Sequence, residues 1–325
     1  MFHIGGEQEL EKKHYYREIT NSGRSSLRLI IQSAELQGKH LLLPNFLCEV
    51  ILDVLLEYDV KIDFYDVGSD FEFELPKKIN NYDCLYLIKY FGMANMSFQN
   101  AVSRFSKCLI IDDVFSPYPH VLERGTLWFS YNSLRKISPV ADLSLLYSNQ
   151  PIHKVEPKIL PLFSDLKYKA KGLKSTFLGG GHGHESEYLN LFQEAEQVLD
   201  ASRGIYSASN ASLFEAIEFY RKLDFETKIR KENYLLLKSC LGDLVMNVNT
   251  KFYSFLPLLL QNRNTIKKKL MLDNIFLAIH WPENNKVSNK ISNKILSIPL
   301  DSRYDKKDIE KLCDTLKKIC DVQYD

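Results

Sequence analysis

The sequence lacks a long apolar run, a surplus of one charge and a closely spaced cysteine pair, and each absence removes a class of function. No stretch of its 325 residues approaches the roughly 18 consecutive apolar residues of a membrane-spanning helix. Lysine and arginine number 42 and aspartate and glutamate 41, a formal net charge of +1. No overall field therefore draws the chain to nucleic acid or to an anionic membrane. The six cysteines (Cys48, Cys84, Cys108, Cys240, Cys313 and Cys320) are scattered, with no C-x-x-C pair. They read as small buried hydrophobes of a reducing compartment rather than as disulfides or metal ligands. The opening residues, MFHIGGEQELEKKHYYREI, show no basic-then-apolar leader pattern. These features predict a cytoplasmic chain without membrane insertion.

What is present is an ordinary globular balance, with 45% hydrophobic and 26% charged residues. At about 150 residues per domain the length suggests two domains. They divide as 1–200, a large domain, and 201–325, a small C-terminal one. In the first half, helix-like and strand-like segments alternate. Helical periodicity marks 24–36, 47–58 and 98–106. Apolar or alternating runs mark strands at 40–44, 60–67, 82–92, 108–115, 125–133 and 142–148. Such alternation predicts an α/β fold with a mostly parallel sheet covered on both faces. Ligands then bind beyond the carboxyl ends of the strands. Segment 150–185 reads as an excursion and loop ending in GGGHGHE. Helices follow at 186–200, 210–222, 225–241, 262–273 and 305–320, with short strands near 252–259 and 275–280 and a polar loop at 284–294.

Four groups sit where strands end. Ser22-Gly23-Arg24-Ser25-Ser26 precedes a helix, so free N–H groups, small hydroxyls and Arg24 make a candidate anion cradle, or else an ordinary cap. Asp112-Asp113 ends an apolar strand and faces the crevice, as a partner for a cation or a protonated ring nitrogen, or as a solvated turn. Lys136 follows the strand GTLWFSY, where desolvation frees an amine for Schiff-base chemistry; the alternative is a surface lysine. Lys89-Tyr90-Phe91-Gly92 offers a stacking wall for a planar ligand, or plain core. Together these parts suit pyridoxal phosphate, which needs a phosphate cradle, an aldehyde-trapping lysine and a carboxylate against its ring nitrogen.

The ordered series SGRSSL, LLPNFLCEVILDVL, VKIDFYDV, YLIKYFG, LIIDDVFSP and FSYNSLRKISPVADLSLL resembles the fold-type-I pyridoxal phosphate aminotransferases. Within them it is closest to the DegT/DnrJ/EryC1/StrS sugar aminotransferases. KIRKENYLLLKSCL, AIHWPEN and ILSIPLDSRYDKKDIEKL continue the order, so the resemblance spans nearly the whole chain. It implies an aspartate-aminotransferase-like architecture and a homodimer whose sites form between subunits. It also implies amination of a nucleotide-linked keto-sugar by an amino acid donor, in surface-polysaccharide or related biosynthesis. Lys136 takes the internal-aldimine position, although the commonest spacing falls on Arg135, which cannot form one. By the same resemblance Asp113 partners the pyridine nitrogen, and Ser116 stands where a Gln or His usually neighbours the 3-hydroxyl. Arg24 and Ser25 match the phosphate turn, Ser130 lies in the strand before the lysine, and Cys48 or Phe46 falls at the ring-stacking position.

Three departures stand out. Ala141-Asp142 replaces the usual Gly-Gly. The Asn-Tyr-Arg motif that reaches the partner's phosphate has only Asn210 as a candidate. Ser116 offers a shorter reach than Gln or His. These keep open a non-catalytic descendant that binds a sugar nucleotide or a protein. A sugar dehydration, the other pyridoxal phosphate reading, needs a His where Lys136 stands. His182 and His184 lack a placeable third ligand, so no metal is expected, and their glycine-rich segment reads as a loop beside the site. His280-Trp281-Pro282 is either a cleft position or packing. Lys267-Lys268-Lys269 reads as a solvated face, and Asp301-Ser302-Arg303-Tyr304 as a turn and cap before the last helix.

Overall fold

The computed structural model describes residues 14–123 and 125–321. Most of the opening segment read for a leader, residues 1–13, lies outside the described residues. The large sheet has seven strands: β1 (Tyr16–Thr20), β2 (His40–Pro44), β3 (Lys61–Tyr65), β4 (Cys84–Ile88), β5 (Cys108–Asp112), β6 (Trp128–Tyr131) and β7 (Ser144–Ser148). Their spatial order is β1-β7-β6-β5-β4-β2-β3. The run from β3 to β6 is parallel, β7 pairs antiparallel with β6, and β1 antiparallel with β7. β4 (CLYLI) and β5 (CLIID) are buried at every position, as expected of central parallel strands covered on both sides. Helices α1 (Gly23–Ser33), α2 (Glu49–Leu56) and α3 (Met96–Arg104) make the connections. The start of α1 is fixed by Ser22, whose Oγ accepts from Ser25 N at 3.3 Å, and that of α3 by Asn95, which accepts from Phe98 N at 3.1 Å.

Beyond β7 come α4 (Phe163–Leu178), α5 (Glu185–Ala201), α6 (Asn210–Arg221) and α7 (Leu223–Leu241). A two-stranded antiparallel sheet of β8 (Phe255–Leu259) and β9 (Ile295–Pro299) follows, with α8 (Arg263–Leu272) between its strands and α9 (Lys306–Asp321) after them. One continuous apolar core joins the two sheets, and Leu160, Phe163, Ala195 and Leu199 form a separate small core between α4 and α5. The architecture is fold type I: a mostly parallel sheet between helices, followed by smaller α/β elements.

Three sequence expectations are corrected. Segment 150–185 is not all loop, because α4 occupies sixteen of its residues. Its Lys- and Gly-rich composition hid a helix that buries Phe163, Lys167 and Ala170 against its neighbours, with lysine stems covering apolar surface. The strand expected near 275–280 is irregular chain with one bridge, Ala278 to Ser297. The partner of β8 is instead β9, which sequence reading passed over. The antiparallel edge strand β1 was also unforeseen. The expected strands at 60–67, 82–92, 108–115 and 125–133 exist but are shorter than drawn.

Candidate active site

Strand order reverses at β2, whose neighbours are β3 on one side and β4 on the other. That reversal opens a crevice at the carboxyl edge of a parallel sheet. The segments after β2 (Asn45–Cys48), β4 (Lys89–Gly92), β5 (Asp113–Ser116) and β6 (Asn132–Lys136) leave the sheet at this edge.

Lys136 closes a 3-10 turn, Leu134–Lys136, directly after β6. Its Nζ lies 5.4 Å from the centre of the Phe115 ring. Among the described residues no carboxylate forms an ion pair with it. Burial pushes its ammonium below the ordinary lysine value, while Cys48 and Asp112 pull the other way. Arg135 turns elsewhere, placing Nη1 3.0 Å from Glu196 Oε1 on α5, an oxygen that Lys167 also meets at 2.5 Å. The lysine, not the arginine, therefore stands free.

The two adjacent acids diverge because successive residues of a strand point to opposite faces. Asp112 Oδ2 accepts from the hydroxyls of Tyr86 (2.9 Å) and Tyr131 (3.2 Å). Asp113 is fully buried and is held at both oxygens. Lys89 Nζ donates to Oδ2 at 2.8 Å, and Ser116 Oγ to Oδ1 at 2.5 Å. Burial raises both carboxyls above their usual range, opposed by Lys136 at Asp112 and by Lys89 at Asp113. The Lys89–Asp113 contact lies outside the sequence expectations, in which Lys89 belongs only to a stacking wall. The signal was available: each residue directly follows an apolar strand, and the register pairs Ile88 with Asp112.

At the start of α1, Ser22 Oγ and Ser25 Oγ both donate to Asn21 Oδ1, at 2.9 and 2.7 Å. Arg24 Nη2 meets Asp200 at 2.6 Å. Asn21 Nδ2 and Arg24 Nη1 are buried without a hydrogen-bond partner. Gly23 packs so closely on Tyr131 that a Cβ would lie 3.0 Å from its ring. Ser130 is buried on the face opposite Tyr131, and its Oγ also lacks a partner.

A buried aromatic cluster packs together at this edge as part of the core. Trp281 sits 5.3 Å from Phe46, 5.1 Å from Tyr90, 5.2 Å from Phe91 and 5.4 Å from Phe115, centre to centre. Phe91 (φ 53°) and Trp281 (φ 49°) both adopt the left-handed backbone region, a cost of about 1–3 kcal/mol that concentrates at functional sites. His280 stacks edge-on to Phe115 at 4.7 Å, and its Nδ1 is buried without a partner. Burial, then the charge of Lys136, push its pKa down to about 3. Of the two ring-stacking candidates, Phe46 is committed to this cluster. Cys48 is the half-buried residue that precedes α2.

The remaining candidates lie farther out. Asn210 is exposed on the first turn of α6. Asp142 ties that helix to the sheet, accepting from Ser209 N and Ser209 Oγ, each at 3.2 Å. The next residue, Leu143, has φ 111°, a backbone region that favours glycine. His182 and His184 are exposed before α5. Among the described residues no three His, Cys, Asp or Glu side chains gather to hold a metal, and no helix is long and apolar enough to cross a membrane.

No family model matches the sequence. Solved structures do match. A DegT DnrJ EryC1 StrS aminotransferase from Brucella abortus is 13% identical, over 93% of this chain and 85% of that one, with a TM-score of 0.63. DesI, solved in the presence of its TDP-sugar product, is 12% identical over 93% and 80%, with a TM-score of 0.64. Helicobacter pylori PseC, an aminotransferase involved in the biosynthesis of pseudoaminic acid, is 14% identical over 94% and 86%, with a TM-score of 0.62. This chain has the fold of these sugar aminotransferases. In a fold-type-I crevice, an unpaired desolvated amine and two orphaned donors at a helix start fit the aldehyde and the phosphate of pyridoxal phosphate. The third requirement, a carboxylate open to the ring nitrogen, is not met as the side chains stand: Asp113 is 0% exposed, and Lys89 and Ser116 hold its two oxygens.

Proposed function

We propose that this chain is a pyridoxal phosphate-dependent aminotransferase, moving an amine from an amino acid donor to a nucleotide-linked keto-sugar. The reading rests on Lys136, the desolvated amine that faces the crevice at the end of β6 without a carboxylate partner among the described residues. Pyridoxal phosphate, when bound, supplies an aldehyde and an electron-accepting ring. Lys136 would hold the aldehyde end of that group, and its neutral amine would accept and return a proton there. Desolvation serves both roles by raising the fraction of neutral amine. Asn21 and Arg24 would bind the phosphate with the first N–H groups of α1. Asp113, steadied by Ser116, would address the ring nitrogen in place of Lys89, and Cys48 would pack against the ring. The aromatic cluster excludes water.

A sugar acceptor is supported by the neighbours: DesI has a TDP-sugar product, and PseC acts in pseudoaminic acid biosynthesis. The reading carries with it a homodimer in the cytoplasm, with Asn210 reaching the partner subunit, and a place in surface-polysaccharide biosynthesis. A second reading, a descendant that binds a sugar nucleotide without catalysis, is favoured by one observation, the prior claim of Lys89 on Asp113.

Purified protein incubated with pyridoxal phosphate and dialysed is expected to stay yellow, and Lys136→Ala to lose the colour. Nucleotide keto-sugars are then screened for those that return the pyridoxamine form to the aldehyde form. Protein that stays colourless yet binds a sugar nucleotide establishes the second reading.

A further inference from the structure

Helix α4 carries Lys167, Lys171 and Lys174 at spacings of four and three residues, so the three share one face. Rings on α5 hold the outer two. Lys167 Nζ lies 5.2 Å from the centre of the Phe192 ring, and Lys174 Nζ 6.0 Å from that of Tyr188. Two arginines from distant parts of the chain come within electrostatic reach of Lys171: Arg135 from the turn after β6, and Arg303 from the turn before α9. The carboxylates nearby are committed elsewhere. Glu196 Oε1 is shared by Arg135 (3.0 Å) and Lys167 (2.5 Å). Asp301 accepts from Nε and Nη2 of Arg303, at 2.5 and 2.9 Å, which leaves Nη1 for a ligand. Glu185, whose charge Lys174 feels, accepts from the Tyr188 hydroxyl at 2.9 Å. Among the described residues no carboxylate forms an ion pair with Lys171 or Lys174. Lys171 is half-buried, and burial followed by the charges of Lys167, Arg303, Arg135 and Lys174 pushes its ammonium down to about 8.

Crowded like charges without a counter-ion destabilise one another, and a bound oxyanion reverses the sign of that interaction. Lys171 and Lys174 are one helical turn apart and Arg303 acts on both, so the three cations lie within reach of one ligand. Their spread suits an anion whose charge is divided between two phosphoryl groups, each able to accept charge-assisted hydrogen bonds. Arg135 joins this group to the crevice, because its charge also acts on Lys136. We propose that Lys171, Lys174 and Arg303 form a subsite for the diphosphate of a nucleotide-linked substrate, beside the crevice that holds Lys136. The nucleotide-linked substrate rests on the aminotransferase reading above, whereas the affinity for diphosphate does not.

Isothermal titration of the full-length protein with inorganic pyrophosphate, in the presence of a metal chelator, tests the subsite. Wild type is expected to bind, and uridine or thymidine diphosphate to compete. Lys171→Met and Lys174→Met should each weaken pyrophosphate about tenfold or more, the order of one charge-assisted contact. Lys171→Arg, which keeps the charge, should retain binding. Lys171→Met keeps the apolar stem and removes an unpaired cation, so its urea midpoint should hold or rise. A lowered midpoint would show that the ammonium already has a partner in the fold, and overturns the proposal. So does wild type that ignores pyrophosphate, or binding that neither Met variant weakens; the aminotransferase reading survives both results. Pyrophosphate that binds but is displaced by neither nucleoside diphosphate overturns the assignment to a nucleotide-linked substrate. Protein that stays colourless with pyridoxal phosphate yet binds pyrophosphate through Lys171 overturns the aminotransferase reading and supports the subsite.

Discussion

Arg135 and Lys136 are adjacent in sequence and diverge in space: Arg135 reaches Glu196 on α5 at 3.0 Å, whereas Lys136 sets its amine 5.4 Å from the Phe115 ring in the crevice. Both residues belong to the 3-10 turn Leu134–Lys136 that follows β6.

Borohydride reduction of cofactor-loaded protein, followed by peptide mapping, should place the label on Lys136 and not on Lys89. Lys136→Ala should lower aminotransfer by at least about 10²–10⁴-fold, the range for losing a positioned acid–base group. Arg135→Ala should leave the labelled residue unchanged. A label on Lys89 would invert the assignment of the two lysines.

Arg24→Ala removes a salt bridge to an exposed Asp200, so the stability change should stay within about 1 kcal/mol. The same variant should bind pyridoxal phosphate about tenfold or more weakly, since a charge-assisted phosphate contact contributes at least about 1.4 kcal/mol. Urea titration and cofactor dialysis measure the two effects separately. Equal losses in both would mark Arg24 as structural.

Gly92→Ala tests the turn that ends β4. Gly92 has φ 80°, and an added Cβ would lie 2.8 Å from Thr250 Oγ1. Gly38 has φ 68° and open space around it. Gly38→Ala should therefore cost about 1 kcal/mol from backbone strain alone, and Gly92→Ala about 1–3 kcal/mol more. Denaturant midpoints check the difference.

Acid should destabilise the fold through two imidazoles. Burial pushes His120 to about 4 and His280 to about 3, while the unfolded chain titrates near about 6.5. Below that value the unfolded state binds more protons, so stability falls with pH. For His120 the window runs from about 6.5 to about 4, and for His280 it continues to about 3. The slope reaches at most about 1.4 kcal/mol per pH unit for each group. His120→Gln should flatten urea stability between neutral pH and about pH 4.5 relative to wild type. An unchanged slope would mean that this imidazole titrates normally.

Local patterns made the sheet region legible. LLLP, CLYLI and CLIID can lie only in a buried strand flanked by helices, and the polar residues at their ends fall at the crevice as the topology requires. What escaped depended on partners distant in sequence. β1 is a strand because β7 lies beside it, and β9 because β8 does. α4 was obscured because its lysines, polar by composition, bury their stems. The same holds at the site. Lys136 and Asp113 were visible as types at strand ends. The link from Asp113 to Lys89 is a contact across 24 positions, which periodicity cannot report, and the burial of His280 beside Phe115 is another such contact.

Trp281 belongs to the chain between α8 and β9, yet its ring is wedged among four rings carried by turns of the large sheet. The two sheets cannot swing apart without bringing this indole into water. The other tryptophan, Trp128, lies within the large sheet, at 1% exposure, and would be a silent reference during such a hinge motion. A red-shifted emission lost on Trp281→Phe would therefore time the opening of the cleft from within the molecule.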